Sequence, residues 1–283
     1  MTVRILSGTE AALALLASLK PKVKRLNPKL VIVQVGNDPA STSYIKKKLE
    51  SCKEIGMRCE HRHLPEETTF EELHSAIESL NTDTDVTGFI VQLPLPSALA
   101  PHTSMLLDGI DPAKDIDGFT ATNAGMLLLG RSDALPAATP AGIMALLAHE
   151  KIGVRGKHAV VVGRSNIVGK PLALLLLNEG ATVTICHSQT QDLAARTREA
   201  DLLFVAVGKA GIITKDMVKK GAVVIDVGVN RVEGKLIGDV DFEGVKEVAA
   251  AITPVPGGVG PMTVASLIQN CVRAAERNAR NAK

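Results

Sequence analysis

Apolar runs of strand length alternate with stretches of helical period along most of the chain. In the first half, Lys29 to Val35, Arg58 to Leu64 and Gly88 to Leu93 predict strands, with helical candidates between them and an opening helix over Glu10 to Leu19. In the second half, His158 to Val162, Thr182 to Cys186, Leu202 to Val207 and Val223 to Val227 repeat the pattern. Strands separated by helices predict parallel sheets with helices on their faces, so the expected fold class is α/β. Between the two series, Ile110 to Pro140 is rich in Asp, Gly and Pro and suits a connection between domains. A Pro- and Gly-rich stretch, Thr253 to Pro261, precedes a last helix over Thr263 to Arg280, which is expected to pack back on the first domain.

Composition narrows the function classes. The 283 residues, 46% hydrophobic and 22% charged, suffice for one large or two modest domains with real cores, which excludes a disordered chain. Five Phe, one Tyr and no Trp leave few rings for stacking on single-stranded nucleic acid. A balance of 32 Lys and Arg against 30 Asp and Glu lacks the basic footprint of a polyanion binder. No nucleic-acid partner is expected, and phosphate recognition has to be local. Cys52, Cys59, Cys186 and Cys271 form no CxxC pair, so no metal site is expected and the thiols suit a reducing cytoplasm. The apolar runs Ala11 to Leu19 and Leu172 to Leu177 fall short of the roughly 20 residues of a membrane span, and Glu10 argues against a signal peptide. A soluble cytoplasmic protein with no membrane partner is expected.

The strand His158 to Val162 runs into Gly163-Arg164-Ser165-Asn166-Ile167-Val168-Gly169-Lys170-Pro171 and then into the apolar helix Leu172 to Asn178. A strand, a glycine loop and a helix start together suit a pyrophosphate, held on backbone N–H groups. The match to GxGxxG is imperfect, because Ser165 stands at the second glycine and Gly169 is one residue late; an ordinary strand-to-helix turn is the competing account. The next strand ends in His187-Ser188, with no carboxylate until Asp192, where an NAD site carries an acid for the ribose diol. Arg164 and Ser188 suit a 2′-phosphate instead, so the expected cofactor is NADP.

Asn37-Asp38-Pro39 opens a helix on which Tyr44 and Lys48 are four residues apart and about 40° apart around the axis. A phenol and an ammonium within hydrogen-bond range form a proton-handling pair once burial lowers the lysine pKa. By itself such a spacing is common, and a lysine run is more often a solvated face. Gln92 places an amide at the C-terminal end of an apolar strand, where open α/β sheets bind ligands. Asp111, Asp115 and Asp117 crowd the connection that follows; a carboxylate there can grip a heterocycle's N–H groups, with capping and turn formation the plainer role for Asp111 and Asp115.

In combination these motifs resemble the bifunctional methylenetetrahydrofolate dehydrogenase/methenyltetrahydrofolate cyclohydrolase family, the FolD type. The resemblance runs through Val35 to Ser41 with Tyr44 and Lys48, Gly88 to Pro96, Lys114 to Gly118, Gly163 to Gly169 and Thr253 to Thr263. It implies a homodimer whose chains have an N-terminal α/β catalytic domain (1–138 with 262–283) and a Rossmann-type NADP-binding domain (139–261). It implies NADP-dependent oxidation of 5,10-methylenetetrahydrofolate and hydrolysis of the methenyl product to 10-formyltetrahydrofolate, in the one-carbon metabolism that serves purine biosynthesis. Lys48 would be the general acid/base, Tyr44 and Gln92 its positioning partners and Asp117 the pterin anchor. Leu93, Pro256, Gly257, Gly260 and Thr263 would line the folate site, and Gly163, Arg164, Ser165, Ser188 and Val229 would contact NADP. One departure is Ala137-Ala138-Thr139-Pro140, where the family usually has Pro-Cys-Thr-Pro; this bears on local packing.

Three other accounts remain. A short-chain-type dehydrogenase also pairs a Tyr and a Lys, but after its glycine loop, whereas here the pair precedes it. A cyclohydrolase with a damaged dinucleotide site conflicts with the unbroken loop. A catalytically silent NADP-binding regulatory protein of the same fold is opposed by the intact set Tyr44, Lys48, Gln92 and Asp117.

Overall fold

The structure is a computed structural model and describes residues 3–281. In chain order its elements are β1 (Arg4–Ile5), α1 (Gly8–Leu26), β2 (Lys29–Val35), α2 (Pro39–Ile55), β3 (Arg58–Leu64), α3 (Phe70–Thr82), β4 (Gly88–Val91), α4 (Thr103–Asp108), α5 (Ala121–Leu128) and α6 (Ala138–His149). There follow β5 (His158–Val162), α7 (Gly169–Asn178), β6 (Thr182–Cys186), α8 (Leu193–Thr197), β7 (Leu202–Val205), β8 (Val223–Asp226), β9 (Asn230–Val232), β10 (Lys235–Ile237), α9 (Phe242–Val245), β11 (Ala251–Ile252) and α10 (Val259–Asn281). Two compact units result: Ala14–Ala138 with the segment from Leu267, and the chain up to Leu13 with Thr139–Ser266. Among the described residues no helix is long and apolar enough to cross a membrane.

The first unit is built on a parallel sheet in the order β3-β2-β4. Central β2 is buried along nearly its whole length, as a strand covered on both faces requires. Val31, Val33, Phe89 and Val91 pack against Leu73, Ile77 and Leu80 of α3 and Leu106 of α4. α1 runs beyond the expected Leu19 and through Pro21, because its apolar period continues through Leu16, Leu19 and Val23, all buried. The late part of α10 belongs to this unit. Its buried Asn270 donates to the carbonyls of Ile116 (3.0 Å) and Pro136 (2.8 Å).

The second unit holds a six-stranded parallel sheet in the order β1-β11-β8-β7-β5-β6. Alternate residues of β5 feed two cores: Ala159 and Val161 meet Leu172 and Leu176 of α7, while Val160 and Val162 pack with Leu203, Val224 and Val245. From β5 the chain passes to β6 on one side and returns to β7 on the other. The C-terminal end of β5 is therefore the switch point of the sheet, where open α/β folds bind ligands. The opening residues were expected with the first domain; instead Arg4 and Ile5 pair with Ala251 and Ile252 and extend this sheet. The short strands β1 and β11 and the β9–β10 hairpin lack runs long enough to read as strands in the sequence. Ala137 and Ala138 are both buried, so the small side chains at that departure fill tightly packed positions.

Candidate active site

Asp38 caps α2 by accepting the Ser41 N–H at 2.7 Å, and Pro39 occupies the first turn. The buried residues of α2 are Ser41, Ile45, Lys48, Cys52 and Ile55, one stripe of helical period. Lys48 thus falls on the inward face and is 7% exposed. Gln92 follows the last residue of β4. Its Oε1 accepts from Lys48 Nζ at 2.9 Å, and its Nε2 donates to the Leu93 carbonyl at 2.7 Å, which fixes the orientation of the amide. The same carbonyl accepts from Ser41 Oγ at 3.3 Å.

Asp117 reaches this point through a parallel bridge between Phe89 and Asp115, with Phe89 N–H donating to the Lys114 carbonyl at 2.9 Å. Two residues on, Asp117 lies close enough to Lys48 for each charge to act on the other. Asp115 is buried and holds the turn: its carboxylate accepts from the N–H groups of Gly118 (2.9 Å), Phe119 (3.2 Å) and Thr120 (2.9 Å) and from Asn123 Nδ2 (2.9 Å). Asp115 therefore has the capping role that its sequence position suggested. Asn123 and Asn270, which brace the same connection, carry no motif; their only sequence signal is an amide among apolar neighbours.

The electrostatics of the pair follow from burial. Loss of hydration pushes the Lys48 ammonium below its ordinary value, opposed by the charge of Asp117 and by the nearby thiols of Cys59 and Cys52. Desolvation pushes Asp117 up to about 6, with Lys48 pulling it down and Asp115 adding to the rise. Cys52, one turn after Lys48 on α2, and Cys59 of β3 are thus neighbours of the lysine, and both are free thiols. Tyr44 is 37% exposed, with the Lys47 ammonium 5.8 Å from its ring centroid. Among the described residues its hydroxyl makes no hydrogen bond to Lys48; Gln92 holds the ammonium in its place.

The other expected residues lie in the second unit. The Gly163 loop leaves β5 at the switch point, with Gly163 at φ +134° and no room for a side chain: a Cβ there would lie 2.4 Å from the Ala206 carbonyl oxygen. Ser165 stands where the fingerprint has glycine because its Oγ accepts the N–H groups of Val168 (3.2 Å) and Gly169 (3.3 Å), capping the start of α7. Its hydroxyl proton stays available to an acceptor. Arg164 reaches the end of β6, donating to Gln189 Oε1 at 3.4 Å, next to the exposed Ser188. Asp192, the nearest following acid, caps α8 by accepting the Ala195 N–H at 3.0 Å. A guanidinium and a hydroxyl with no competing carboxylate fit a 2′-phosphate. Val229 is exposed after β8. Pro256, Gly257 and Gly260 lie at the entry to α10, and Thr263 Oγ1 is 3.0 Å from Thr139 Oγ1.

Known proteins are similar to this chain along nearly its whole length. A relative from Exiguobacterium sibiricum, "Bifunctional protein FolD", is 51% identical over 96% of this chain and 99% of its own length. The solved structure of the bifunctional methylenetetrahydrofolate dehydrogenase/cyclohydrolase FolD from Campylobacter jejuni superposes with a TM-score of 0.95 at 44% identity, covering 98% of this chain and 99% of that one. The enzyme from Trypanosoma brucei, solved with NADP cofactor and an inhibitor, gives 0.92 at 34% identity, covering 98% of this chain and 99% of that one. Residues 6–117 match the catalytic domain of tetrahydrofolate dehydrogenase/cyclohydrolase and residues 137–279 its NAD(P)-binding domain, and with both halves matched this chain belongs to that family.

Proposed function

We propose that this chain oxidises 5,10-methylenetetrahydrofolate to the 5,10-methenyl cation with NADP⁺ and hydrolyses that cation to 10-formyltetrahydrofolate, using Lys48 as the proton-transfer group. The observation that carries this reading is the buried Lys48 ammonium held 2.9 Å from Gln92 Oε1 and under the charge of Asp117. NADP⁺, when bound, supplies the hydride acceptor. Oxidation leaves a resonance-stabilised cation, so the chain has only to align donor and acceptor.

Hydrolysis asks more. Water loses a proton as its oxygen bonds the methenyl carbon, a ring nitrogen gains one as its bond to that carbon breaks, and the remaining hydroxyl proton passes to solvent as the formyl C=O forms, so one proton is released overall. The lysine amine, its pKa lowered by burial, takes the first proton and returns the second. Gln92 Oε1 accepts from the ammonium between those steps and keeps it in place. Asp117, ionised above about pH 6, accepts N–H donors of the pterin. Tyr44, Leu93, Pro256, Gly257, Gly260 and Thr263 are the further folate-binding residues. Gly163, Arg164, Ser165, Ser188 and Val229 contact NADP. The chain acts as a cytoplasmic homodimer in one-carbon metabolism serving purine biosynthesis; its four free thiols suit that compartment. The catalytically silent alternative has no support among the relatives, such as the bifunctional FolD proteins of Exiguobacterium sibiricum and Campylobacter jejuni.

The test is an absorbance assay of methylenetetrahydrofolate with NADP⁺ and with NAD⁺, following methenyl formation and its decay. Methenyl formation favouring NADP⁺, followed by decay, is expected. Absence of either step overturns the reading.

A further inference from the structure

Two aspartates that the chemistry above does not use are almost completely buried: Asp226 at the end of β8 is 3% exposed and Asp239 is 0% exposed. Among the described residues neither forms a salt bridge. A buried carboxylate without a cation is costly unless its oxygens are filled by donors. Here they are. Asp239 Oδ2 accepts the N–H groups of Val207 (2.7 Å) and Gly208 (2.9 Å), and its Oδ1 accepts from Lys209 N–H (2.8 Å) and Asn230 Nδ2 (2.9 Å). Asp226 Oδ1 accepts from the N–H groups of Gly228 (3.2 Å) and Asp239 (2.9 Å), and its Oδ2 from Val240 N–H (3.0 Å). The backbone comes this close only because glycine stands against each carboxylate. A Cβ at Gly228 would lie 2.0 Å from Asp239 Cγ, and one at Gly238 would lie 1.8 Å from Asp226 Oδ2.

What the two carboxylates hold is specific. Val207 to Lys209 lies in the loop leaving β7, and Gly228 and Val229 lie in the loop leaving β8, which ends at Asn230, the first residue of β9. β7 pairs with β5 and β8 with β7, so both loops stand in line with the Gly163 loop along the C-terminal edge of the sheet. Each presents an exposed valine there, Val207 at 38% and Val229 at 45%. Exposed apolar side chains on loops pinned by a buried polar network describe a preformed contact surface, since a merely surface loop needs no such bracing.

We propose that Asp239 and Asp226 are positioning residues for the cofactor, clamping the β7 and β8 loops so that Val207 and Val229 are already placed for the dinucleotide. This rests on the assignment of the NADP site to the ends of β5 to β8. Asp239 is the keystone, because it ties both loops to one side chain; Asp226 fixes the backbone that carries Asp239.

The experiment compares wild type, Asp239→Asn and Asn230→Ala. The amide of Asp239→Asn has one acceptor atom, so its NH2 group faces either the Val207 and Gly208 donors or the Lys209 and Asn230 donors. Asn230→Ala removes a single donor from a half-buried position and leaves the sheet intact. NADP⁺ binding is read by calorimetry, the dehydrogenase by KM for NADP⁺ against kcat, and methenyltetrahydrofolate hydrolysis is followed with no NADP present. The expected result is a Kd and KM for NADP⁺ raised roughly tenfold or more in Asp239→Asn and several-fold in Asn230→Ala. kcat at saturating NADP⁺ and the rate of hydrolysis stay near wild type in both. Unchanged NADP⁺ affinity in either folded variant, or a parallel loss of hydrolysis and dehydrogenase activity, overturns the proposal. A wild-type chain that does not bind NADP⁺ overturns the assignment of the cofactor site and the proposal with it.

Discussion

Replacing Lys48 separates proton transfer from charge. Lys48→Met keeps a long apolar stem on the inward stripe of α2 and removes the ammonium, leaving Gln92 Oε1 without its donor at 2.9 Å. A positioned acid/base group contributes about 10² to 10⁴ in rate, or roughly 3 to 5 kcal/mol of barrier, so methenyl hydrolysis should fall by that factor. Unfolding will not cause the loss. Because the folded pKa of Lys48 lies below its ordinary value, the unfolded chain binds the extra proton more readily, and the buried lysine lowers stability at neutral pH. Removing it should leave the melting temperature unchanged or raised. Lys48→Arg is the sharper variant, since a guanidinium retains the charge but does not give up its proton. It should be as inactive in hydrolysis as Lys48→Met, whereas NADP⁺ binding, measured by calorimetry, survives in both. The assay is the decay of methenyl absorbance at several pH values. Wild-type hydrolysis should rise with pH as the lysine loses its proton, and both variants should lose that limb. Hydrolysis at the wild-type rate in Lys48→Met, or recovery of most of it in Lys48→Arg, refutes proton transfer by this residue.

Gln92→Met should weaken hydrolysis by about tenfold to a hundredfold, because the ammonium loses the hydrogen bond to Gln92 that orients it; a rate within about twofold of wild type would assign the orientation elsewhere. Arg164→Ala should raise KM for NADP⁺ roughly tenfold or more while leaving that for NAD⁺ nearly unchanged, as expected for loss of a contact to the 2′-phosphate; equal effects on both cofactors would contradict that contact. Asp117→Asn should stabilise the fold above neutral pH. Asp117 is raised from 3.8 to about 6 in the folded chain, so wild-type stability falls as pH rises across that interval, and the variant lacks the fall. For a half-buried group beside a cation the gain at pH 8 is about 1 to 2 kcal/mol, read from urea midpoints at pH 4 and pH 8. Equal midpoint shifts at both pH values would exclude the carboxylate as the titrating group.

Four strands, β2, β3, β5 and β6, run between the limits expected from the sequence. In β2 and β5 the reason is burial, because a covered parallel strand needs an unbroken apolar or β-branched run that stands out against its Gly flank, whereas the edge strands β3 and β6 are largely exposed or half-buried and show their limits by the turns around them. β1 and β11 are two residues each and form only because each finds a partner distant in sequence, information that no local pattern contains. The same distinction divides the site. Lys48 and Gln92 were recognisable by position, at helical spacing from Tyr44 and at a strand end. That Gln92, not Tyr44, holds the ammonium depends on how α2 rotates on the sheet, and its buried stripe leaves Tyr44 on the flank.

Asp115 and Asp117 make the point more strongly, because they share a motif and differ in environment. Asp115 spends its carboxylate on four N–H donors and thereby sets the turn. Asp117, two residues on, is left with its carboxyl desolvated and facing the field of Lys48, which brings its proton equilibrium near neutrality. Identical side chains thus divide into a brace and a functional acid, and what divides them is the supply of backbone donors. Asp226 and Asp239 act as braces at the other sheet, where N–H donors fill their oxygens, although desolvation still pushes Asp226 up to about 6. In this chain a buried aspartate becomes available to a ligand only where the fold withholds its own N–H groups, and among these four that condition is met at Asp117.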